Sequence, residues 1–190
     1  MCNTSDPSCR RKKMKEDLRT QLSKKMIKNG LLELLNHKKS YDINVRELCD
    51  KAGVNRSTFY RHYDNIADVL DEIVEDIGKI ITDTNASSYS DPDHADDYIY
   101  KAVRFFDEHH EYDPLILSDQ ISLQMVSDRF EQLIMPGIGV SLSDTERRYL
   151  VRYLLGGTCA IIKDWVLNQR KESAKQIADI LYRLSFKTAG

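Results

Sequence analysis

Proline and glycine are scarce in this chain, at four and eight among 190 residues. No stretch alternates β-branched with polar residues, so the signs of a sheet are missing and helix can run through most of the sequence. Apolar runs are short as well: none approaches the roughly 18 residues that a membrane span requires. The N-terminus is polar and basic, with no apolar core of a secretory signal. The expectation is a cytoplasmic protein with no membrane partner. The four cysteines, Cys2, Cys9, Cys49 and Cys159, form neither a C-x-x-C pair nor a group with histidines, which argues against a disulfide framework and a zinc site. Matches to N-x-[ST] at Asn3, Asn55 and Asn85 have no meaning without secretion. Also missing are a nucleophile elbow, a phosphate-cradling glycine loop and any ordered Ser/His/Asp or Cys/His pattern. Neither an enzyme nor a cofactor is expected.

What is present is charge, unevenly placed. The chain is 41% hydrophobic and 31% charged with a formal net charge of -2, a composition that suits one or two small globular domains. Residues 10–63 carry fifteen Lys/Arg against six Asp/Glu, a net of +9, whereas residues 64–190 carry thirteen against twenty-three, a net of -10. A basic module that meets phosphates, joined to an acidic module with another task, has this footprint; a solvated lysine-rich surface is the plainer alternative.

The spacing predicts an all-α chain. After a basic, flexible tail over residues 1–17, Leu18, Leu22, Met26, Ile27, Leu31, Leu34 and Leu35 follow helical spacing to about residue 38. Asn44 caps a short second helix over 45–52, which Gly53 stops. Asn55 caps a third to about residue 63, and Asp64 a fourth with Val69, Leu70, Ile73, Ile77, Ile80 and Ile81 inward. A loop at 85–93 follows, where Asp91 and Pro92 restart helix. Segments at 114–118 and 119–135 end at MPGIG. Ser143 and Glu146 form a capping box for a long helix to about residue 169, and a last helix runs over 173–187. The expected division is a helix-turn-helix domain at 18–63 and a helical domain at 64–190, with 64–84 connecting.

The densest strip is GVNRSTFYRHY, residues 53–63. Two short helices around a glycine turn make a helix-turn-helix, whose second helix lies in the major groove. Phe59 and Tyr63, four apart, suit packing, while Arg56, Ser57, Tyr60 and Arg61 fall on other faces. Arginine bridges guanine O6 and N7 or a phosphate, and hydroxyls reach phosphate oxygens.

VRELCDKAGVNRSTFYRHYDNIADVLDEI, residues 45–73, resembles the DNA-binding region of TetR-like transcriptional repressors, with their A-G-V turn and T-[FL]-Y-x-[HY]-[FY] recognition helix. The resemblance spans about residues 18–80. It implies an all-α protein of about nine helices, a homodimer that reads a palindromic operator in double-stranded DNA, and a divergent C-terminal domain that takes a small-molecule effector. It implies backbone phosphate contacts for Asn44, Arg46, Tyr60 and Asn65, and places Asn55 among the DNA-binding residues. Arg56, Ser57, Thr58, Arg61 and His62 become candidates for base edges and nearby phosphates. This sequence departs from the pattern at Cys49, usually alanine, and at Asn65, often lysine, and its loop KKSYDIN is about a residue shorter than in many members. Cys49 suits a small core position. The basic stretch 10–15 reads either as an arm reaching an adjacent groove or as a solvated tail.

By the same resemblance the last two helices pair between protomers through Leu154, Gly156, Gly157, Ile161, Trp165, Ile177, Leu181 and Leu184. YLLGGTCAIIKDWVLN resembles the branch that holds dihydroxyacetone kinase operon regulators. Phe105, Phe106, Tyr112, Leu123, Met125, Phe130, Tyr149 and Tyr153 line either a ligand cavity, with Arg104, Arg148 or Arg152 as anionic anchor, or ordinary core. His109, His110 and Glu111, and the acidic residues around His94, read as solvated helix ends rather than metal ligands. A dimeric adaptor that binds protein through residues 55–62 is the competing function; steeply salt-dependent DNA affinity separates the two.

Overall fold

A computed structural model describes residues 7–82, 95–117 and 142–187 of the chain. Among the described residues there are eight α-helices and no strand. In chain order they are α1 (Pro7–Leu35), α2 (Val45–Ala52), α3 (Arg56–Tyr60), α4 (Ile66–Thr82), α5 (Ala95–Glu108), α6 (Asp113–Leu117), α7 (Asp144–Leu167) and α8 (Ala174–Tyr182). Short 3-10 turns at Ser40–Asp42 and His110–Tyr112 and a π turn at Arg183–Lys187 complete the described chain. The expected loop at 85–93, the Asp91–Pro92 restart, the helix at 119–135 and the MPGIG stop lie outside the described residues.

The helix expected from Leu18 begins at Pro7 instead. Proline is tolerated in a first turn, and the Arg, Lys, Met and Glu that follow are good helix formers, so helix runs through the stretch read as a flexible tail. Two compact units result, Met1–Leu70 and Asp71–Gly190, with the division inside α4 rather than at residue 63.

In the first unit, Ile27, Leu31, Leu48, Phe59 and Val69 are each 0% exposed and form the core. α1 and α2 approach closely at Gly30, where a Cβ would stand 3.1 Å from the Ala52 Cβ and 3.2 Å from its Cα. Lys51 and Glu33, at 2.5 Å, tie the two helices along their exposed edges, and Lys38, in the turn after α1, meets Glu47 of α2 at 2.6 Å. Gly53 ends α2 at φ 66°, and the Val54 N–H donates to the Cys49 carbonyl at 3.0 Å. Among the described residues, a Cβ there would meet only the Met26 Cε, at 3.7 Å. Gly53→Ala is therefore expected to cost about 1–2 kcal/mol of head stability through backbone strain alone. Hydrogen-exchange protection in α2 measures it.

In the second unit α5 packs on α8, and α7 packs on α6 and α8. Both halves of the Ser143–Glu146 capping box are present at the start of α7, and Ser173 and Gln176 form another for α8. Trp165 is 2% exposed, and its Nε1 donates to the Glu172 carbonyl at 2.8 Å.

Candidate nucleic-acid interface

The site is built from two caps and a turn. The Asn44 side chain accepts the Glu47 N–H at 3.0 Å and opens α2; the Asn55 side chain accepts the Thr58 N–H at 2.7 Å and opens α3. Helix stops sooner than expected, at Tyr60, and the His62 and Tyr63 N–H groups close a turn onto the Phe59 carbonyl. Aspartate 64 does not cap α4. The side chain of Asn65 does, accepting from Ala67 N at 2.7 Å and Asp68 N at 3.2 Å. Asp68 returns the favour, accepting from the Asp64 and Asn65 N–H groups. An Asn side chain tolerates the same cap position as Asp, and the helix begins one residue later.

Aromatic packing fixes the pose of α3. Phe59 is fully buried and Tyr63 is 4% exposed, with ring centroids 5.8 Å apart. Tyr60 sits edge-on to Phe59 at 5.4 Å yet remains 56% exposed. Arg56, Ser57 and Arg61 are exposed with it, and Thr58 and His62 are half-buried. Asn44, Arg46, Asn55 and Asn65 are exposed as well. Arg56, Ser57, Tyr60 and Arg61 thus lie at the surface, while Phe59 and Tyr63 between and beside them are spent on the core. The asparagines have given their oxygens to caps, so the polar group left on each side chain is the Nδ2 donor. That of Asn65 already donates to Asp68 at 3.3 Å.

Cys49 is 2% exposed, as a core position requires. Burial pushes its thiol above the usual cysteine range, opposed in part by the charge of Arg56. A raised thiol is a poor nucleophile. His109 lies 3.3 Å from Glu111 and 4.7 Å, ring to ring, from Phe105. Among the described residues no group of three His, Cys, Asp or Glu is placed to hold a metal ion.

In the second unit the expected residues separate by burial. Trp165, Ile177, Leu181 and Leu154 are 2%, 5%, 2% and 9% exposed within the single chain, so their side chains belong to its own core rather than to a contact face. Gly156, Gly157 and Ile161 are open or half-open and Leu184 is 52% exposed. Tyr149 and Tyr153, expected to line a cavity, are 61% and 71% exposed on α7, and Arg152 is exposed beside them. An inward position needs a different face of the helix from the one they occupy. Phe105 and Phe106 are buried, Tyr112 is half-buried, and Leu123, Met125 and Phe130 lie outside the described residues. The signal missed in the sequence was phase: Tyr149, Tyr153, Gly157 and Ala160 share one helical face, and Leu154 and Trp165 another.

Residues 32–73 match the model for bacterial regulatory proteins of the tetR family, and residues 93–187 match a transcriptional regulator C-terminal region of the same type. The uncharacterized HTH-type transcriptional regulator YxbF of Bacillus subtilis (strain 168) is 26% identical over 166 residues, covering 83% of this chain. This alignment takes in only 43% of that relative's length. Among solved structures, a TetR transcriptional regulator from Streptococcus agalactiae 2603V superposes with a TM-score of 0.65 at 21% identity, covering 90% of this chain and 98% of that one. A TetR-family regulator from Syntrophomonas wolfei gives 0.66 at 17% identity, covering 88% and 94%. The dihydroxyacetone kinase operon activator DhaS gives 0.54 at 20% identity, covering 87% and 95%. At these identities the superpositions speak for the fold alone. The two family models carry the rest, and they describe transcriptional regulators rather than enzymes: with its helix-turn-helix head and helical C-terminal unit, the chain belongs to the tetR family of DNA-binding transcriptional regulators.

Proposed function

We propose that this regulator is a cytoplasmic, homodimeric repressor that reads a palindromic operator through α3 and responds to a small-molecule effector held by its C-terminal unit. The observation that carries the reading is the division of labour in α3 and the turn that follows it. Phe59 and Tyr63 are buried, and Arg56, Ser57, Tyr60 and Arg61 stand exposed between capped helix ends. Arg56, Ser57, Thr58, Arg61 and His62 reach base edges and nearby phosphates. Tyr60, Asn44, Arg46, Asn55 and Asn65 hold backbone phosphates and set the register.

Two heads on one duplex need half-sites about 34 Å apart, and a two-fold protein supplies them. Support for the dimer comes from the open face of α7, where nothing among the described residues lies within 4 Å of a Cβ built on Gly156 or Gly157 and where Tyr149 and Tyr153 are exposed. A second helix gains close backbone approach over such small residues. Gly157→Glu is accordingly expected to give a folded monomer, read by light scattering, whose operator affinity falls at least tenfold with loss of the second head.

Selection of genomic fragments by the full chain tests the reading. A two-fold symmetric sequence with two protomers bound is the expected result, and enrichment of no sequence by a folded dimer contradicts it. A reporter behind that operator falls when the protein is present if the sign is repression.

A further inference from the structure

The hydroxyl of Ser57 donates to the Asn55 Oδ1 at 2.7 Å. Its direction is fixed by a third group. The Thr58 backbone N–H, which can only donate, meets the same Asn55 atom at 2.7 Å. That atom is therefore the amide oxygen and not the nitrogen, because two donors would otherwise face each other. An oxygen lacking a proton can only accept, so the single proton of Ser57 is spent on it. What Ser57 shows to solvent is lone pairs.

That restricts its partners. Phosphate oxygens are acceptors, and so are guanine O6 and N7, adenine N7 and thymine O4. In the major groove the donors are the exocyclic amino groups, adenine N6 and cytosine N4. Arg56 and Arg61, the exposed cations beside Ser57 in sequence, carry donors alone and read the opposite set. Resting on the proposed DNA-reading role of α3, we infer that Ser57 is a specificity-determining residue that accepts a hydrogen bond from an adenine or cytosine amino group in each half-site, with Asn55 as the residue that positions it. Serine at this place is not a phosphate anchor. The cap and the readout are one device, since the bond that starts α3 also fixes what Ser57 can accept.

The test uses the full chain and the operator enriched from genomic fragments. In synthetic duplexes, each half-site adenine is replaced in turn by purine, and each cytosine by 2-pyrimidinone, so that one amino group is removed at a time. At one symmetric position, wild type is expected to lose about tenfold in affinity. Ser57→Ala, whose exposed site lets the fold stand, is expected to bind that altered duplex as it binds the parent, within twofold. Circular dichroism confirms that the variant is folded. If Ser57→Ala instead weakens every duplex alike and lowers the salt slope, Ser57 holds a phosphate and the inference is overturned, while the DNA-reading role stands. If wild type tolerates every amino deletion, the inference is likewise overturned. If no operator is enriched at all, the DNA-reading role falls and takes this inference with it.

Discussion

Phe59→Ala is expected to remove about 3–5 kcal/mol from the stability of the head and with it specific DNA binding at ordinary temperatures. Phe59 is fully buried in the same core as Ile27, Leu31, Leu48 and Val69. Its truncation loses the transfer energy of the ring and leaves a cavity that α3, only five residues long, has little other packing to collapse around. Tyr60 and Tyr63 both rest on that ring, at 5.4 and 5.8 Å. A head of this size holds on the order of 5 kcal/mol in all, so the loss takes most of the margin. Native-state hydrogen exchange reads the effect directly: amides of α2 and of residues 58–63 should approach the exchange rates of an open chain. Retained protection there would show that the ring is not the anchor of the recognition helix.

Arg170→Ala is expected to cost about 3 kcal/mol in the C-terminal unit, from a position that looks like an ordinary surface arginine in the sequence. The Arg170 guanidinium meets the Asp113 Oδ1 at 2.5 Å, donates to the Phe106 carbonyl at 3.0 Å and lies 5.5 Å over the Trp165 ring. Its side chain is 14% exposed and that of Asp113 18%. It thereby joins the end of α5, the start of α6 and the turn after α7. The backbone is strained to achieve this, with Gln169 at φ 59° and Arg170 at φ 51°. Left-handed residues with side chains cost on the order of 1–2 kcal/mol each and persist where the surroundings over-determine them. Truncation leaves a carboxylate and a carbonyl without their donor, a larger penalty than the pair's net worth. Trp165, the single tryptophan of the chain, reports the outcome by fluorescence in urea. A lower midpoint is expected for Arg170→Ala and a smaller drop for Arg170→Lys, which keeps the charge but loses the planar fork. Equal midpoints for all three proteins would remove the ion pair from the account.

The difference between these two residues is also the difference between what a sequence displays and what it conceals. Phe59 and Tyr63 could be assigned to the core from their spacing, and Asn44, Asn55, Gly53 and Ser143 from the chemistry of helix ends, because caps and helical period are local. Arg170 acts on residues 57 and 64 positions away, and no local pattern marks such a pair. Helix phase was the other loss. α7 is apolar on much of its circumference, so its sequence does not say which stripe faces the core; burial assigns Leu154 and Trp165 inward and Tyr149 and Tyr153 outward. The early start of α1 has a similar origin, since a basic helix and a basic tail share one composition. Within the recognition strip the exposed residues were legible, but the direction of the Ser57 hydrogen bond was not. It depends on an oxygen shared by two donors.

The proposed function depends most on α3 and the turn after it reading DNA through their exposed face. Fluorescence anisotropy of the full chain on its selected operator, from low to physiological salt, tests it beside Arg61→Ala, a variant that leaves the buried residues untouched. Tight binding by the wild type with a steep salt slope is expected. The variant is expected to lose about 1–3 kcal/mol on the operator, with weaker discrimination against unrelated duplex. Equal operator affinity and equal discrimination in a folded Arg61→Ala protein would contradict it.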